Sequence, residues 1–288
     1  MGRTKGFELL NNLRYSTVKL VVPKKSGSVG YGTGFFFDME YTDGTHCLLL
    51  VTNKHMAWDW QSLSFRLNKA DEKWNPILGD TVQITLRNIS SQRWIEHPDV
   101  DLCVFEVWPH LKPIWDSGTK LCYRYLHEGL IPKGYMIDNV SPIEDILMIG
   151  YPDAMADDKN NLPIVRRGIT ATDFKVDYNG KKEFLIDASI FKGSSGSPVM
   201  ICHIGSFPNP DGTLQFGERM YFLGVQYRGE FTRFQDPIYV RDANGVEKNV
   251  NGAYSRNFND LGYCVKSECL MYFKDIVKQH GWAMFRTK

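Results

Sequence analysis

The sequence predicts an all-β protein: two packed antiparallel six-stranded β-barrels with one C-terminal helix. Three observations carry this. Short runs rich in β-branched and aromatic residues recur with turn signals between them. They fall into two groups, separated by a proline-containing stretch without period-2 alternation. A single amphipathic stripe of helical period stands near the end.

In the first group "TVKLVV", "GYGTGFFFDMEY", "HCLLLVTN", "LSFRLN", "TVQITLRN" and "DLCVFEV" read as strands. "TVQITLRN" alternates polar and apolar residues as a half-buried strand does, and "YTDGTH" places an Asp-Gly hairpin turn between two runs. "WPHLKPIWDSGTKLCYRYLHEGLIPKG" reads as a connector with a short helix around "TKLCYRYLHEG". The second group holds "DILMIGYP", "PIVRRGITATDFKV", "EFLIDASIF" and "RMYFLGVQYRG", with an Asn-Gly hairpin signal in "DYNGKKEF". Ser267 as cap, Glu268 in the first turn and the stripe Leu270, Phe273, Val277 before Gly281 predict the terminal helix. The expected organisation is a single domain over 1–288: one barrel at 15–112, a connector and second barrel at 113–266, and the helix at 267–281.

Composition excludes several classes. Over 288 residues, 43% apolar and 13% aromatic content is ample for a buried core. A net charge of +1, from 34 basic and 33 acidic residues, leaves no footprint for nucleic acid and no attraction to a membrane surface. The lysines of "VPKKSG" and arginines of "VRRG" are too sparse for a basic stripe and read as solvated positions. No apolar run approaches the roughly 18 residues of a membrane span. The opening "MGRTKGFELLNNLRY" has no apolar core of a leader, and Gly6 stands where a myristoylation signal at Gly2 would want Ser or Thr. The cysteines at 47, 103, 122, 202, 264 and 269 form no CxxC pair, and four lie in apolar strand-like runs. Buried free thiols, and hence a reducing cytoplasm, are expected; zinc binding is the alternative.

Hydrolysing an amide needs a nucleophile, a base, a carboxylate that orients the base, and donors for the developing oxyanion. Three stretches supply them. "LLLVTNKHMAW" ends an apolar strand on His55, "HPDVDLCVFEV" opens one with Asp101, and "KGSSGSPV" sets Ser195 between glycines. Gly193 and Gly196 let the chain turn sharply and aim the Gly193 and Ser195 amides at one point. Ser194 is the alternative nucleophile, whereas Ser197, before Pro198, reads as structural. Asp99 is the alternative to Asp101, and His97 with Asp99 lacks the further ligands a zinc site requires. Each stretch alone is ordinary; their joint occurrence at strand boundaries is what points to catalysis.

With these residues in view, "GTGFFF…LLLVTNKH…DVDLCVFEV…IDASIFKGSSGSPV…FLGVQYRG…LGYCVKS" resembles the trypsin-like serine peptidases of the chymotrypsin fold, whose chain order is also His, Asp, Ser. It looks closest to the bacterial HtrA-type and cytoplasmic trypsin-like peptidase domain proteins, over roughly residues 16 to 280. The resemblance implies His55 as general base, Asp101 as orienting carboxylate, Ser195 as nucleophile, and an oxyanion hole from the Gly193 and Ser195 amides. It implies that Tyr227, Arg228 and Gly229 pair with substrate backbone, that Gly262 and Tyr263 form the far wall of the specificity pocket, and that Ser189 and Ile190 form its base. No metal or organic cofactor is implied.

The implied function is a serine endopeptidase that cleaves protein or peptide substrates through an acyl-enzyme. Two alternatives stay open: a catalytically silent protease-fold binding or scaffold module, and a protease switched on by a partner chain to cut one regulatory target. The segments 109–140, 153–162 and 203–218 read as long loops where such a partner would act. Ser194 holds the position where trypsin-like zymogens carry an Asp that pairs with a freed amino terminus, so activation by amino-terminal cleavage is not expected. Ser189 carries no charge and Ile190 fills space beside it, which implies small aliphatic residues before the scissile bond. Asp187 is expected to point away, and Arg228 offers an acidic residue as the lesser option.

Overall fold

The computed structural model describes residues 10–58, 60–87, 94–235, 238–241, 243–250, 254–282 and 284. Gly2 and Gly6 lie outside them. The first sheet is built from β1 (Thr17–Pro23), β2 (Val29–Glu40), β3 (His46–Thr52), β4 (Ser62–Ala70), β5 (Pro76–Arg87), β6 (Trp94–Glu96) and β7 (Cys103–Glu106), in the order β5-β4-β1-β2-β3-β7-β6. β8 (Leu121–Cys122) adds to β4, and β9 (Leu126–His127) adds to β2 as a parallel partner. The second sheet is a closed barrel of six strands: β10 (Asp145–Gly150), β11 (Ile164–Thr170), β12 (Glu183–Asp187), β17 (Tyr254–Lys266), β14 (Leu214–Gln235) and β13 (Pro198–Pro208), while β15 (Ile238–Arg241) and β16 (Glu247–Val250) pair as a separate two-stranded sheet. The architecture is all-β, two main sheets, antiparallel apart from β9, with a C-terminal helix, as expected. The first sheet has nine strands rather than six, because Trp94–Glu96 and two short strands of the connector join the six expected ones.

Those two strands correct the reading of "TKLCYRYLHEG" as a helix. Leu121 and Cys122 pair with Lys69 and Asn68 and are buried, so tertiary pairing outweighs helix preference there. The connector's helix lies earlier, over Trp108–Asp116, with Pro109 in its first turn and Leu111 turned into the core. Residues 203–218, read as a loop, are instead the paired ends of β13 and β14, from His203↔Arg219 to Pro208↔Leu214. Arg166 of "VRRG" is half-buried rather than solvated, and desolvation lowers its guanidinium pKa to about 10.

The turn at Asp43-Gly44 joins β2 to β3, with Gly44 at φ +73°. Asn179 and Gly180 take φ of +51° and +74°, the pair of positive values their sequence encodes. They do not close a tight hairpin, because they sit within the longer excursion between β11 and β12. At the end, a 3-10 turn over Ser267–Tyr272 precedes the helix Phe273–Gln279. Ser267 makes no capping hydrogen bond and lies inside the 3-10 turn, which corrects its expected role. Leu270, Phe273 and Val277 are fully buried, as the stripe requires.

Among the described residues, three apolar cores hold these layers. One fills the first sheet with Leu20, Phe36, Leu50, Phe65 and Phe105, and one fills the barrel with Met148, Phe184, Ile186 and Leu223. The third joins them: Phe35, Phe37 and Val51 meet Met200, Phe222, Val265 and the terminal helix's Phe273 and Val277. The site described below lies where the two sheets meet. Each apolar side chain so buried stabilises the fold by about 1.5–3 kcal/mol before entropy is counted.

All six cysteines are free, and all but Cys202 are buried. Burial raises the thiol pKa of Cys47 and Cys202 to about 12 and that of Cys269 to about 11. Buried, protonated thiols are inert. A strong reductant should therefore leave the melting temperature unchanged; a fall of several degrees on reduction would contradict this arrangement.

Candidate active site

His55 leaves the end of β3 on a single helical turn, Lys54–Ala57. Asp101 stands two residues before β7, whose Cys103 pairs with Thr52 of β3. That register brings the two together. His55 Nδ1 lies 2.6 Å from Asp101 Oδ2, and the His55 backbone N–H donates to Asp101 Oδ1 at 3.2 Å. Asn53 Nδ2 donates to the Asp101 carbonyl at 2.7 Å, so the loop carrying the carboxylate is tied to the strand end carrying the imidazole. With Nδ1–H held by a carboxylate, Nε2 is the ring nitrogen left to accept a proton.

Ser195 sits on the turn between β12 and β13. Its flanking glycines are required by close approach. A side chain on Gly196, at φ +88°, would strike the Thr33 carbonyl, and one on Gly193, at φ +82°, would strike the Tyr151 carbonyl. The amides of Gly193 and Ser195 have no hydrogen-bond partner among the described residues, which leaves two unused donors two residues apart. The Ser195 hydroxyl donates to the Tyr227 carbonyl at 3.2 Å; no hydrogen bond joins it to His55. Ser194 is fully buried, and its Oγ accepts from the Phe191 N–H at 3.3 Å. Ser197 is buried too, with its hydroxyl on Thr33 Oγ1 at 3.3 Å.

Tyr227, Arg228, Gly229, Gly262 and Tyr263 are brought together by the β14–β17 register, with Arg228↔Tyr263 and Gly229↔Gly262. The Arg228 guanidinium lies 5.0 Å from the Tyr263 ring centroid and 3.3 Å from Glu230. Ile190 is buried, and its side chain packs where a Cβ on Gly262 would go. Ser189 is exposed in a shallow depression shared with Asp187, which is exposed as well, while its carbonyl accepts from Arg166 Nη1. The Nε and Nη2 atoms of Arg166 are buried without a hydrogen-bond partner. His97 is a packing residue: Nδ1 accepts from the Asp99 N–H at 3.2 Å and the ring lies tilted against Tyr272 at 4.5 Å.

Sequence reasoning missed Thr33. Its N–H donates to the Ser195 carbonyl at 2.8 Å and its hydroxyl to the Gly193 carbonyl at 2.9 Å. The same oxygen accepts from the Tyr151 N–H at 3.1 Å. Thr52 Oγ1 in turn donates to the Thr33 carbonyl at 2.8 Å. One fully buried side chain thus clamps the Ser195 turn to the first sheet. Its only sequence signal is the Gly-Thr-Gly of "GYGTGFF". Thr33→Val keeps the shape but leaves buried polar groups unpaired, each costing about 1–3 kcal/mol. The expected result is a lower melting temperature and a loss of about tenfold to a hundredfold in Ser195 reactivity, since small misplacements of reacting groups are costly. A Thr33→Val protein as reactive as wild type would show that the clamp does not position Ser195.

The second missed feature is the turn Tyr151–Ala154, where Asp153 and Ala154 hold φ of +47° and +59° without being glycine. The Asp153 N–H donates to the Lys192 carbonyl beside Gly193. Such backbone strain persists only where surrounding structure fixes it.

No protein-family model and no curated protein sequence matches the chain. Among solved structures it is similar to the HtrA-type protease AlgW with tripeptide, at 14% identity and TM-score 0.47, covering 97% of this chain and 65% of that one. It is also similar to Rv3671c from M. tuberculosis, at 12% identity and TM-score 0.44, covering 96% of this chain and 92% of that one. A third is HL collagenase, at 13% identity and TM-score 0.47, covering 94% and 95%. The functional reading therefore rests on the geometry of His55, Asp101 and Ser195.

Proposed function

We propose that the chain is a trypsin-like serine endopeptidase, cleaving protein or peptide substrates through an acyl-enzyme on Ser195. One observation carries the reading: a His55–Asp101 pair at 2.6 Å, three residues beyond Thr52, which is tied through Thr33 to a glycine-flanked serine with two unused amides. In this reading His55 Nε2 takes the Ser195 proton as Oγ attacks the carbonyl, and returns it to the leaving amine. Asp101 fixes the tautomer and stabilises the imidazolium. The Gly193 and Ser195 amides receive the oxyanion. None of these steps calls on a metal or organic cofactor. Substrate backbone would pair along Tyr227, Arg228 and Gly229, with Gly262 and Tyr263 as the wall of the pocket. The free, protonated thiols favour a reducing compartment such as a bacterial cytoplasm.

The test is covalent labelling by a fluorophosphonate, with Ser195→Ala and His55→Ala as controls. Labelling of wild type alone supports the enzyme; no labelling in any condition favours the silent binding module.

A second reading, a protease held at rest until a partner chain or substrate orders its loops, is favoured by the Ser195 hydroxyl bonding Tyr227 rather than His55. Rotation about χ1 would release it.

Specificity follows from Ile190. With Ile190 packed on Gly262 and no carboxylate at Ser189, a buried Lys or Arg before the scissile bond would cost several kcal/mol. Small aliphatic residues, Ala or Val, should be preferred there. A positional-scanning peptide library checks this: preference for Lys or Arg would overturn it, and preference for Asp or Glu would promote Arg228 despite its pairing with Glu230.

A further inference from the structure

Beside His55 and Asp101 lies a cavity of about 670 Å³, the rest of whose lining the chemistry above does not use. Its size is that of a site for a large side chain or small ligand. Three indoles line it: Trp58, Trp60 and Trp94. Two of them are fixed. Trp60 packs edge-on against Trp94 at 6.1 Å and against Phe105 at 5.5 Å, and Trp94 stacks on Phe105 at 6.0 Å. Phe105 belongs to the core, so this wall is rigid. Trp58 is the opposite: it follows the His55 turn and is 76% exposed. An indole left so open beside a preformed aromatic wall marks a binding surface.

The surrounding charges decide what fits. Lys25 and Lys54 face the cavity from one sign, Glu96 and Asp101 from the other. Asp101 is engaged by His55, and Lys54 Nζ donates to the His97 carbonyl at 2.8 Å. The two ammonium groups and two carboxylates offset one another, so charge selects neither a cation nor an anion, and indole faces and edges favour an aromatic side chain over an aliphatic one of equal area.

We infer that the cavity walled by Trp58, Trp60 and Trp94 is a subsite for one aromatic side chain of the polypeptide substrate, close to the scissile bond. The inference rests on the proteolytic reading, because His55 is shared between the cavity and the reacting centre. An extended chain advances only about 3.3 Å per residue. The side chain held there therefore belongs to a residue within about two positions of the bond that is cut.

The experiment uses alanine hexapeptides in which a single Phe is moved through every position, with the all-alanine peptide as reference. Binding is measured to Ser195→Ala protein by titration calorimetry, and kcat/KM to wild type. Phe at one position should improve affinity and kcat/KM about tenfold to a hundredfold, the range expected for burying an aromatic ring. Trp58→Ala should bring that Phe-to-Ala ratio close to one, and Trp58→Phe should keep part of it; being exposed, Trp58 can be replaced without a change in melting temperature. The inference is overturned if no Phe peptide binds better than the alanine peptide, if Lys or Glu at the same position outdoes Phe, or if the ratio survives Trp58→Ala. Binding does not depend on turnover. A Phe preference in binding without fluorophosphonate labelling would therefore sink the proteolytic reading and keep the subsite, whereas labelling without any Phe preference would do the reverse.

Discussion

Ser195→Ala and His55→Ala should each abolish peptide hydrolysis, with losses on the order of a millionfold where wild-type activity is measurable, because the members of such a unit act together. Neither change should unfold the protein. The Ser195 hydroxyl makes one hydrogen bond, to the Tyr227 carbonyl at 3.2 Å, and removing a bond of that kind costs about 1 kcal/mol. The His55 side chain is 42% exposed, so its truncation opens no core cavity. The measurement is kcat/KM for a cleaved peptide alongside the melting temperature. Substantial activity left in Ser195→Ala would remove Ser195 from the proposed role. Ser194 is a poor replacement: it is fully buried with its oxygen on the Phe191 amide, so no substrate carbonyl could reach it without unfolding the turn.

What the sequence could show and what it could not divide along a physical line. His55, Asp101 and Ser195 each stand at the edge of a strand whose composition announces it, so their local settings were legible one by one. Gly193 and Gly196 were legible because only glycine suits a turn at positive φ against a facing carbonyl. Thr33 was not, since its partner Gly193 lies 160 residues away and nothing local to "GTG" specifies that contact. The β8 strand was missed for the same reason: Leu121 and Cys122 become a strand only by pairing with β4. The 203–218 segment misled in the opposite direction, because "FPNPDG" carries strong turn signals and yet forms only the tip of a ribbon whose flanks keep pairing. Arg166 reads as an ordinary surface arginine and is held down by the Ser189 carbonyl, a contact across two strands. The site's chemistry was thus encoded locally, and its support was encoded by long-range packing.

That support bears on how the resting state is read. Thr33 fixes the carbonyls of Gly193 and Ser195, the Asp153 amide holds the Lys192 carbonyl, and the Gln226 carbonyl accepts from the Gly196 N–H at 2.8 Å. The backbone around Ser195 is therefore restrained from three sides, while its hydroxyl is bonded to the Tyr227 carbonyl and not to His55. In the proposed enzyme, freeing that hydroxyl from the Tyr227 carbonyl takes a side-chain rotation. Ser194, buried and uncharged, offers no anchor for a freed amino terminus.

Asp101→Asn should lower kcat/KM by about ten-thousandfold while leaving the fold and much of the peptide affinity in place, the size of effect an orienting carboxylate has in such units. The geometry gives the reason. Asp101 accepts twice, from His55 Nδ1–H through Oδ2 at 2.6 Å and from the His55 backbone N–H through Oδ1 at 3.2 Å. An asparagine has one acceptor oxygen and one donor nitrogen. If its oxygen keeps the backbone N–H, its NH2 faces Nδ1 and donates to it, which places the imidazole proton on Nε2. That is the nitrogen needed to accept the Ser195 proton, so the base is disabled by tautomer rather than by loss of position. The imidazolium formed during acylation also loses the negative charge that stabilised it. Asp101→Asn should therefore depress kcat far more than it raises KM, and fluorophosphonate labelling should slow in proportion. An Asp101→Asn protein that retained most of its kcat would show that His55 does not depend on this carboxylate, and Asp99→Asn would then become the variant to measure.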